Sequence, residues 1–356
     1  MNSQKMGDLR IFKSLSEEGL SAWMKERGEP QFRVAQVLDW VYVKRCSSFE
    51  KMSNISQGLR QALAEEFLIP VLENVRKIGA ADTTQKFLFK LRDGQLIESV
   101  LIPASPALYG EPTDRLTACL SSQVGCAYGC TFCASGLNGW KRNLEAGEIV
   151  EQLMLLEEIS GNRVNNIVFM GMGEPFANFA NLTKAIEILN ASWGVGLGAR
   201  HMTVSTSGLV PQIRQFAEFP LQVRLAISLH AATDIVRSKI MPINRRYPLS
   251  DLLEALDYFH LRKKQRITFE YILIKGINDG LDQAALLAQH ARRVSAKVNL
   301  IPYNTVSGLS WERPELATQQ VFFQSLVDQG ISVTLRREKG HDIAAACGQL
   351  RLQSIQ

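Results

Sequence analysis

Apolar residues at helical spacing organise the first part of the chain. Ser16 can cap a helix with two glutamates in its first turn, and Leu20, Trp23 and Met24 then follow at i, i+3 and i+4. The same spacing predicts a second and a third helix, through Val34, Val37, Leu38 and Val41 and through Leu59, Leu63 and Phe67. We therefore assign residues 1–80 to a small helical domain.

A strand-like pattern follows this helical part. Phe87, Phe89 and Leu91 alternate with polar residues, and the alternation resumes after an Arg-Asp-Gly turn at 92–94. This pattern predicts a β-hairpin, and the next stretch is rich in proline, glycine and alanine, as loops are. Residues 81–112 are therefore assigned to a hairpin and loop that link two domains.

The remainder, residues 113–356, alternates short apolar runs with amphipathic segments. The predicted strands are Leu116–Ser121, Asn166–Met170, His201–Ser205, Val223–Ser228, Thr268–Ile274, Lys297–Ile301 and Ser332–Arg336. The predicted helices are Glu148–Glu158, Leu182–Leu189, Leu252–His260, Ala284–Arg293 and Thr318–Asp328. This alternation predicts an α/β fold whose parallel sheet forms a barrel or partial barrel, with its active site at the carboxyl ends of the strands.

Composition narrows the classes of protein that fit. The 356 residues, 46% of them hydrophobic, suffice for one large core and a smaller domain. No stretch approaches the roughly 18 apolar residues of a membrane span, and the N-terminus lacks the apolar region of a signal peptide. We therefore expect a cytoplasmic protein without membrane contact. The net charge of +5 is small, so any nucleic-acid contact must come from local basic patches.

Three of the six cysteines lie within eight positions. Cys126, Cys130 and Cys133 have the spacing C-x3-C-x2-C, which gathers three thiolates in one loop and predicts a 4Fe-4S cluster with one iron open to a further ligand. In this spacing the chain resembles radical S-adenosylmethionine (SAM) enzymes. The alternative is a structural zinc site, which needs four ligands and could take Cys119 as the fourth.

Polar motifs follow several predicted strands. Gly173 and Glu174, in the run GMGEP, could bring a peptide edge and a carboxylate to the ammonium group of SAM, or could form only a strand-to-helix turn. Further short polar side chains at strand ends suit ribose and carboxylate contacts; these are Ser205, Ser228, His230 and Asn304. A lone histidine is more often an interior residue with its hydrogen bonds satisfied than a ligand. These residues are therefore candidates mainly because they share one edge of the predicted barrel.

Two cysteines lie outside the cluster loop. Cys119 ends a predicted strand, and Cys347 lies in an alanine-rich stretch near the C-terminus. Such cysteines are commonly buried structural residues. Two further thiols beside a radical-generating cluster would also permit a covalent mechanism.

Two groups of basic residues are candidates for RNA contact. The first is interleaved with aromatic residues in the helical domain and comprises Arg33, Trp40, Tyr42, Lys44 and Arg45. The second lies around the expected barrel mouth and comprises Arg245, Arg246, Arg336, Arg337 and Lys339. Solvated basic faces would explain both groups equally well.

Taken together, the motifs resemble one family across nearly the whole chain, from about Phe32 to Leu352. They are CLSSQVGCAYGCTFC, GMGEP, STSG, ISLHA, MPIN, NLIPYN and DIAAACGQL. In them the chain resembles the RlmN/Cfr family of radical SAM RNA methyltransferases. The resemblance implies a partial (β/α)6 barrel of TIM type and SAM contacts at Gly173, Glu174, Ser205, Ser228, Leu229, His230 and Asn304.

The resemblance also implies a reaction. The family's RlmN-type members methylate carbon 2 of adenosine in 23S rRNA and tRNA and use two SAM molecules per turnover. Cys347 would carry the methyl group, Glu98 would remove the ring proton, and Cys119 would release the product through a transient disulfide. The expected partners are the two RNAs and a low-potential electron donor such as flavodoxin or ferredoxin, with the enzyme a monomer.

Three alternatives remain at this point. A Cfr-like enzyme would methylate carbon 8 of adenine with the same cysteines. A radical SAM enzyme acting on a protein or small molecule would leave the basic helical domain and the Cys119/Cys347 pair unexplained. A non-catalytic, zinc-stabilised RNA-binding protein would be colourless, whereas an iron–sulfur protein absorbs visible light.

Overall fold

The computed structural model describes residues 9–79, 84–104, 115–137, 139–306, 308–336 and 348–350. Its N-terminal part contains strand β1 (Arg10–Ile11), helices α1 (Glu17–Glu26), α2 (Phe32–Leu38) and α3 (Gln57–Glu66), and strand β2 (Phe67–Leu68). Ser16 caps α1 by accepting a hydrogen bond from Gly19 N at 3.1 Å, as the sequence predicts. The three predicted helices are confirmed.

Phe67 is the exception, because it leaves the predicted third helix and begins β2. This strand pairs in parallel with β1. The pairing buries the Phe67 ring against Phe12 and Trp23, with ring centroids 5.9 and 5.4 Å away. Tertiary packing therefore ends the helix one residue earlier than its apolar spacing suggests.

The remaining strands follow in chain order. They are β3 (Leu72–Ile78), β4 (Gln85–Leu91), β5 (Leu96–Pro103), β6 (Leu116–Cys119), β7 (Gln123–Gly125), β8 (Trp140–Asn143), β9 (Asn166–Phe169), β10 (Met202–Thr206), β11 (Arg224–Ser228), β12 (Thr268–Leu273), β13 (Lys297–Pro302) and β14 (Val333–Leu335). The remaining helices are α4 (Ala146–Ser160), α5 (Phe179–Asn190), α6 (Val210–Ala217), α7 (Asp234–Ile240), α8 (Leu249–Lys263), α9 (Leu281–Arg293) and α10 (Leu316–Asp328). Each strand and helix predicted for the barrel is present, whereas α6, α7 and the β7–β8 hairpin are additional.

Ten of these strands form one sheet in the described chain, in the order β14-β13-β12-β11-β10-β9-β6-β5-β4-β3. Within this sheet β6 and the strands β9 to β14 run parallel, as expected for a partial barrel. Strands β3, β4 and β5 extend the same sheet in antiparallel fashion, and Val100 on β5 pairs with Cys119 on β6. The hairpin predicted as a linker is thus part of the ten-stranded sheet, because its apolar face is buried there.

The N-terminal helices pack directly on this barrel. Lys13 forms a buried ion pair with Glu151 of α4, and Arg45 pairs with Glu157 of the same helix at 2.5 Å. Tyr42 is buried, with its ring 5.8 Å from that of Trp193. Tyr42 and Arg45, predicted as candidate RNA contacts, therefore serve packing between the two parts. In the described ranges, no helix is both long and apolar enough to cross a membrane.

Candidate active site

A cavity opens at the carboxyl ends of the parallel strands, where barrel enzymes place their active sites. Ser205, Ser228 and Ile272 reach it from the ends of β10, β11 and β12. The three clustered cysteines, Cys126, Cys130 and Cys133, line it as well. The fold therefore brings the cysteine loop and the polar strand ends to one place, as the sequence predicts.

The cysteine loop is the turn of the β7–β8 hairpin. Gly125 precedes the first cysteine with a φ of +74°, and a Cβ there would lie 1.8 Å from Gly139 O. Only glycine fits this position. Cys126 N donates to Gly139 O at 3.2 Å, and Cys133 N donates to Cys130 O at 3.1 Å. These bonds fold the loop so that its three thiols face the same cavity.

The surroundings of the loop raise the pKa values of two of its thiols, Cys126 and Cys130. Burial, aided by Cys133 and Glu174, raises the pKa of Cys126 to about 12. Burial and the other two loop cysteines raise the pKa of Cys130 well above its usual value. Deprotonating such thiols requires a bound cation, and soft thiolates are the usual ligands of iron–sulfur clusters. Three thiols on one loop fit a 4Fe-4S cluster that keeps one iron for another ligand.

Within the described ranges, no three His, Cys, Asp or Glu side chains converge closely enough to hold a single metal ion. The cysteines are instead distributed along the cavity wall.

The loop after β9 presents a carboxylate to the cavity. Gly173 has a φ of +101°, and a Cβ on it would lie 2.5 Å from Gln123 Cβ, so glycine is required. Glu174 accepts hydrogen bonds from Phe176 N at 3.0 Å and Ser207 N at 2.7 Å. Burial raises the pKa of Glu174, and these donors oppose the shift. An ammonium group in the cavity would favour the ionised form and pair with it.

Ser205 and Ser228 are neighbours at the ends of β10 and β11, with hydroxyl oxygens 3.3 Å apart. Both line the cavity, whereas Leu229 and Asn304 are buried and are not among the described residues that line it. Asn304 Oδ1 accepts a hydrogen bond from Arg313 Nη2 at 3.1 Å. SAM contacts at Leu229 and Asn304 therefore stay predictions.

His230 forms part of the cavity wall as a neutral imidazole. Its Nδ1 accepts a hydrogen bond from Ile272 N at 3.1 Å, which places the ring hydrogen on Nε2. Burial and the charge of Arg237 lower the pKa of His230 to about 3. The ring is therefore a hydrogen-bond donor at neutral pH and not a proton-transfer group.

Cys119 and Glu98 lie on the neighbouring strands β6 and β5. Cys119 packs in a small apolar cluster with Val100, Met172 and Leu350. Glu98 is buried, and its carboxylate pairs with Lys86 Nζ at 3.1 Å. Neither Cys119 nor Glu98 is among the described residues that line the cavity.

The described end of the C-terminal segment, residues 348–350, returns to the cysteine loop. Gly348 O accepts a hydrogen bond from Ala134 N at 2.8 Å, and Leu350 O accepts one from Ser135 Oγ at 2.9 Å. Gly348 and Leu350 line the cavity, and Leu350 shares the apolar cluster of Cys119. Cys347 lies outside the described residues, but its chain neighbour is held on the cysteine loop.

Two buried charged residues at the site were not predicted from the sequence. Glu270 on β12 lines the cavity and is paired with Ser228 in the register of β11 and β12. Its Oε1 accepts a hydrogen bond from Asn299 Nδ2 at 3.0 Å, whereas its Oε2 has no hydrogen-bond partner among the described residues. A carboxylate within the apolar run ITFEYILI was an available signal for it. Arg237 on α7 is fully buried behind the strand ends. Nothing in the local sequence distinguishes it from a surface arginine.

The second basic group is only partly described. Arg245 and Arg246 are exposed after α7. Burial raises the pKa of the cavity-lining Tyr128 to about 12, and the charge of Arg246 opposes that rise. Arg336 follows β14, and its N–H donates to Leu300 O at 2.9 Å. Arg337 and Lys339 lie outside the described residues.

Two family models match the chain. Residues 120–288 match the radical SAM superfamily. Residues 12–69 match the ribosomal RNA large subunit methyltransferase N-terminal domain. The two models thus match most of the barrel and the helical domain separately.

Whole proteins match as well. The chain is 53% identical over 351 residues to the "Probable dual-specificity RNA methyltransferase RlmN" of Akkermansia muciniphila, covering 99% of this chain and 98% of the relative. A relative of the same name from Bacillus thuringiensis is 49% identical, covering 95% and 92%. The crystal structure of a radical SAM methyltransferase from Sphaerobacter thermophilus superposes with a TM-score of 0.90 at 41% identity, covering 96% of this chain and 99% of that one.

A radical SAM methyltransferase is therefore what this fold and cavity define, and that class implies a 4Fe-4S cluster and SAM. Because its relatives match over nearly their whole length, the chain belongs to the RlmN family of RNA methyltransferases. The alternative of a non-catalytic, zinc-stabilised protein is wrong.

Proposed function

We propose that the enzyme methylates carbon 2 of adenosine in the peptidyl-transferase region of 23S rRNA and, in tRNA, at the adenosine 3' of the anticodon. The position of the C-terminal segment supports this proposal, because Gly348 is bonded to the cysteine loop and Leu350 packs in the cluster of Cys119. Gly348, the residue that follows the proposed carrier Cys347 in the chain, is thus held at the cysteine loop. The dual-specificity names of the relatives support two RNA substrates.

Carbon 2 of adenine is electron-poor and its hydrogen is not acidic, so polar methyl transfer has no nucleophile there. When bound, the 4Fe-4S cluster and SAM supply the radical chemistry that activates a methyl group. Cys126, Cys130 and Cys133 would hold the cluster. Gly173, Glu174, Ser205, Ser228 and His230 would hold SAM, with Glu174 pairing with its ammonium group.

The thiols and one carboxylate complete the reaction. Cys347 would carry a methyl group taken from one SAM, and a second SAM would supply the radical chemistry that activates this methyl for addition to adenine. Glu98 then removes the ring proton. The Cys119 thiolate would then attack the sulfur of Cys347 and form a transient disulfide. The sulfur–carbon bond breaks with its electron pair on the carbon, which takes a proton to become the methyl group of the product. A low-potential donor such as flavodoxin or ferredoxin supplies the electrons.

Mass spectrometry of nucleosides tests the assignment. A bacterial strain without its own gene for this activity is complemented with the wild type, Cys347→Ala or Cys46→Ala. We expect 2-methyladenosine in both 23S rRNA and tRNA with the wild type and none with Cys347→Ala. Cys46 is the matched control, because it is buried in the helical domain and its thiol donates to Ser48 O at 2.9 Å.

Other products would contradict the proposal. Appearance of 8-methyladenosine would establish the Cfr-like alternative, and unmodified RNA would point to a protein or small-molecule substrate. The cluster assignment has its own test, because Ala at Cys126, Cys130 or Cys133 should abolish both iron binding and methylation. A full complement of iron and full activity in any one of these variants would refute it.

A further inference from the structure

Arg237 is an arginine with no exposed surface, held between the ends of two barrel strands. Its Nη2 donates to Ser207 O at 2.6 Å, just beyond β10, and its Nε donates to Leu229 O at 3.0 Å, just beyond β11. A longer contact of Nη2 reaches Ser228 O at 3.4 Å, and Nη1 donates to Asn244 Oδ1 at 2.9 Å. The guanidinium therefore bridges two adjacent strand ends.

This bridge supports residues that line the cavity. Ser207 O accepts from Arg237, while Ser207 N donates to Glu174 Oε2 at 2.7 Å. The residue after Ser207 is Gly208, which has a φ of +108°. A Cβ at this position would lie 3.3 Å from Arg237 Nη2. The main chain thus comes close to the guanidinium, and through Ser207 the arginine fixes the position of the Glu174 carboxylate.

Among the described residues no carboxylate contacts Arg237, whose hydrogen-bond acceptors there are three carbonyls and one amide oxygen. Burial lowers the pKa of Arg237 to about 10, and Cys130 and Asp234 oppose that shift, so the group is cationic at neutral pH. Helix α7, which carries Arg237, also contacts the cysteine loop directly. Thr131 N in that loop donates a hydrogen bond at 2.9 Å to the carbonyl oxygen of Ile240, the last residue of α7. A buried positive charge therefore acts on the site of the thiolates.

We propose that Arg237 is a positioning residue that ties the ends of β10 and β11 together and whose charge raises the reduction potential of the cluster held by the cysteine loop. The inference rests on the proposed cluster site. Reduction adds one negative charge to a group already bound by three thiolates. A buried cation stabilises that reduced state more than the oxidised one, and net charge and burial are established determinants of cluster potentials.

Three variants separate the two roles. Arg237→Gln removes the charge and most of the bridge, whereas Arg237→Lys keeps the charge but cannot reach acceptors on both strands at once. Lys239→Gln is the matched control, since this lysine lies on the same helix and is exposed. Each protein is reconstituted anaerobically, and its iron content and its affinity for SAM are measured. Its cluster is then titrated with dithionite and followed by electron paramagnetic resonance.

For Arg237→Gln we expect the equilibrium constant for cluster reduction to fall about tenfold, equivalent to about 59 mV in a one-electron couple. For Arg237→Lys we expect the wild-type potential but about tenfold weaker SAM binding. Lys239→Gln should change neither quantity. A wild-type potential in Arg237→Gln, or failure of both Arg237 variants to fold, would overturn the inference and leave a purely structural arginine. A wild type that binds no iron would instead refute the proposed function.

Discussion

At the scale of single residues, the two thiols outside the cluster loop should fail differently when replaced. Cys347→Ala removes the methyl carrier, so no methylated protein and no RNA adduct should form. Cys119→Ala leaves methyl loading and addition to RNA intact but removes the resolving thiolate, so protein covalently bound to RNA should accumulate. Denaturing electrophoresis with labelled RNA would detect the adduct. Normal turnover by Cys119→Ala would return this buried cysteine to a packing role.

Glu270 should contribute to SAM binding, because it lines the cavity and its Oε2 is a buried carboxylate oxygen without a partner among the described residues. A cationic group or a ribose hydroxyl would satisfy it, and hydrogen bonds to charged groups contribute about 1.5–3 kcal/mol. Glu270→Gln should therefore weaken SAM binding to the cluster-loaded enzyme by about tenfold or more. Anaerobic equilibrium binding measures this, with the exposed Glu254→Gln as control. Equal affinities would limit Glu270 to its bond with Asn299.

His230 should make the cluster-free protein sensitive to acid. Its pKa falls from 6.5 to about 3 on folding because of burial, so the unfolded state binds more protons below about pH 6.5. Stability should then decline as the pH is lowered, by about 2 kcal/mol at about pH 5. Urea unfolding of wild type and His230→Asn at neutral and acidic pH checks this, and the variant should lose less stability.

The exposed His201→Asn serves as the control and should follow the wild type. An equal acid loss in wild type and His230→Asn would mean that other groups determine the effect.

At the scale of elements, a strand or helix could be predicted from the sequence when its pattern of apolar and polar residues was long and regular. Strands such as Asn166–Phe169 are short apolar runs between polar turns, and periodicity alone locates them. Helix α7 has seven residues, and β7 has three, one of them glycine. Both are too short to show a recognisable periodicity of apolar residues. The end of α3 was misplaced because the pairing of β2 with β1 depends on residues far away in sequence.

The site divides in the same way. The cysteine loop was predictable because its three ligands lie within eight positions, so their proximity is a local property. Arg237 and the pairing of Glu98 with Lys86 depend on strand neighbours. The register of the sheet brings Glu98 to Lys86, and the packing of α7 on the strand ends places Arg237. A single sequence specifies neither.

The contact between the N-terminal helices and α4 should depend on one buried ion pair. Lys13→Met leaves Glu151 buried without its cation, and loss of one partner of such a pair costs about 3–5 kcal/mol. Chemical denaturation should show this loss, and the double variant Lys13→Met/Glu151→Leu should regain most of it. The exposed Lys25→Met is the control. If the double variant were no more stable than Lys13→Met, the ion pair itself would stabilise the fold, beyond preventing an unpaired buried charge.

At the scale of the whole molecule, the net charge of +5 is too small to hold RNA by itself. Replacing Arg245 and Arg246 by Gln should weaken RNA binding and reduce the slope of log K against log salt by about 0.7–0.9 for each phosphate that is no longer neutralised. Fluorescence anisotropy with labelled RNA over a salt series measures both quantities. The control pair is Arg200 and Arg224, which are exposed at the amino ends of β10 and β11. An unchanged slope would move the RNA-binding surface to the N-terminal helices.

The antiparallel extension of the sheet limits how this enzyme can be divided or recombined. A cut after residue 80 would remove β3 and turn β4, with its buried Phe87 and Phe89, into an open edge. Exposed apolar edges of this kind template self-association. Functional chimeras between relatives should therefore exchange the helical unit at the junction between β2 and β3, so that the whole ten-stranded sheet is inherited from one parent.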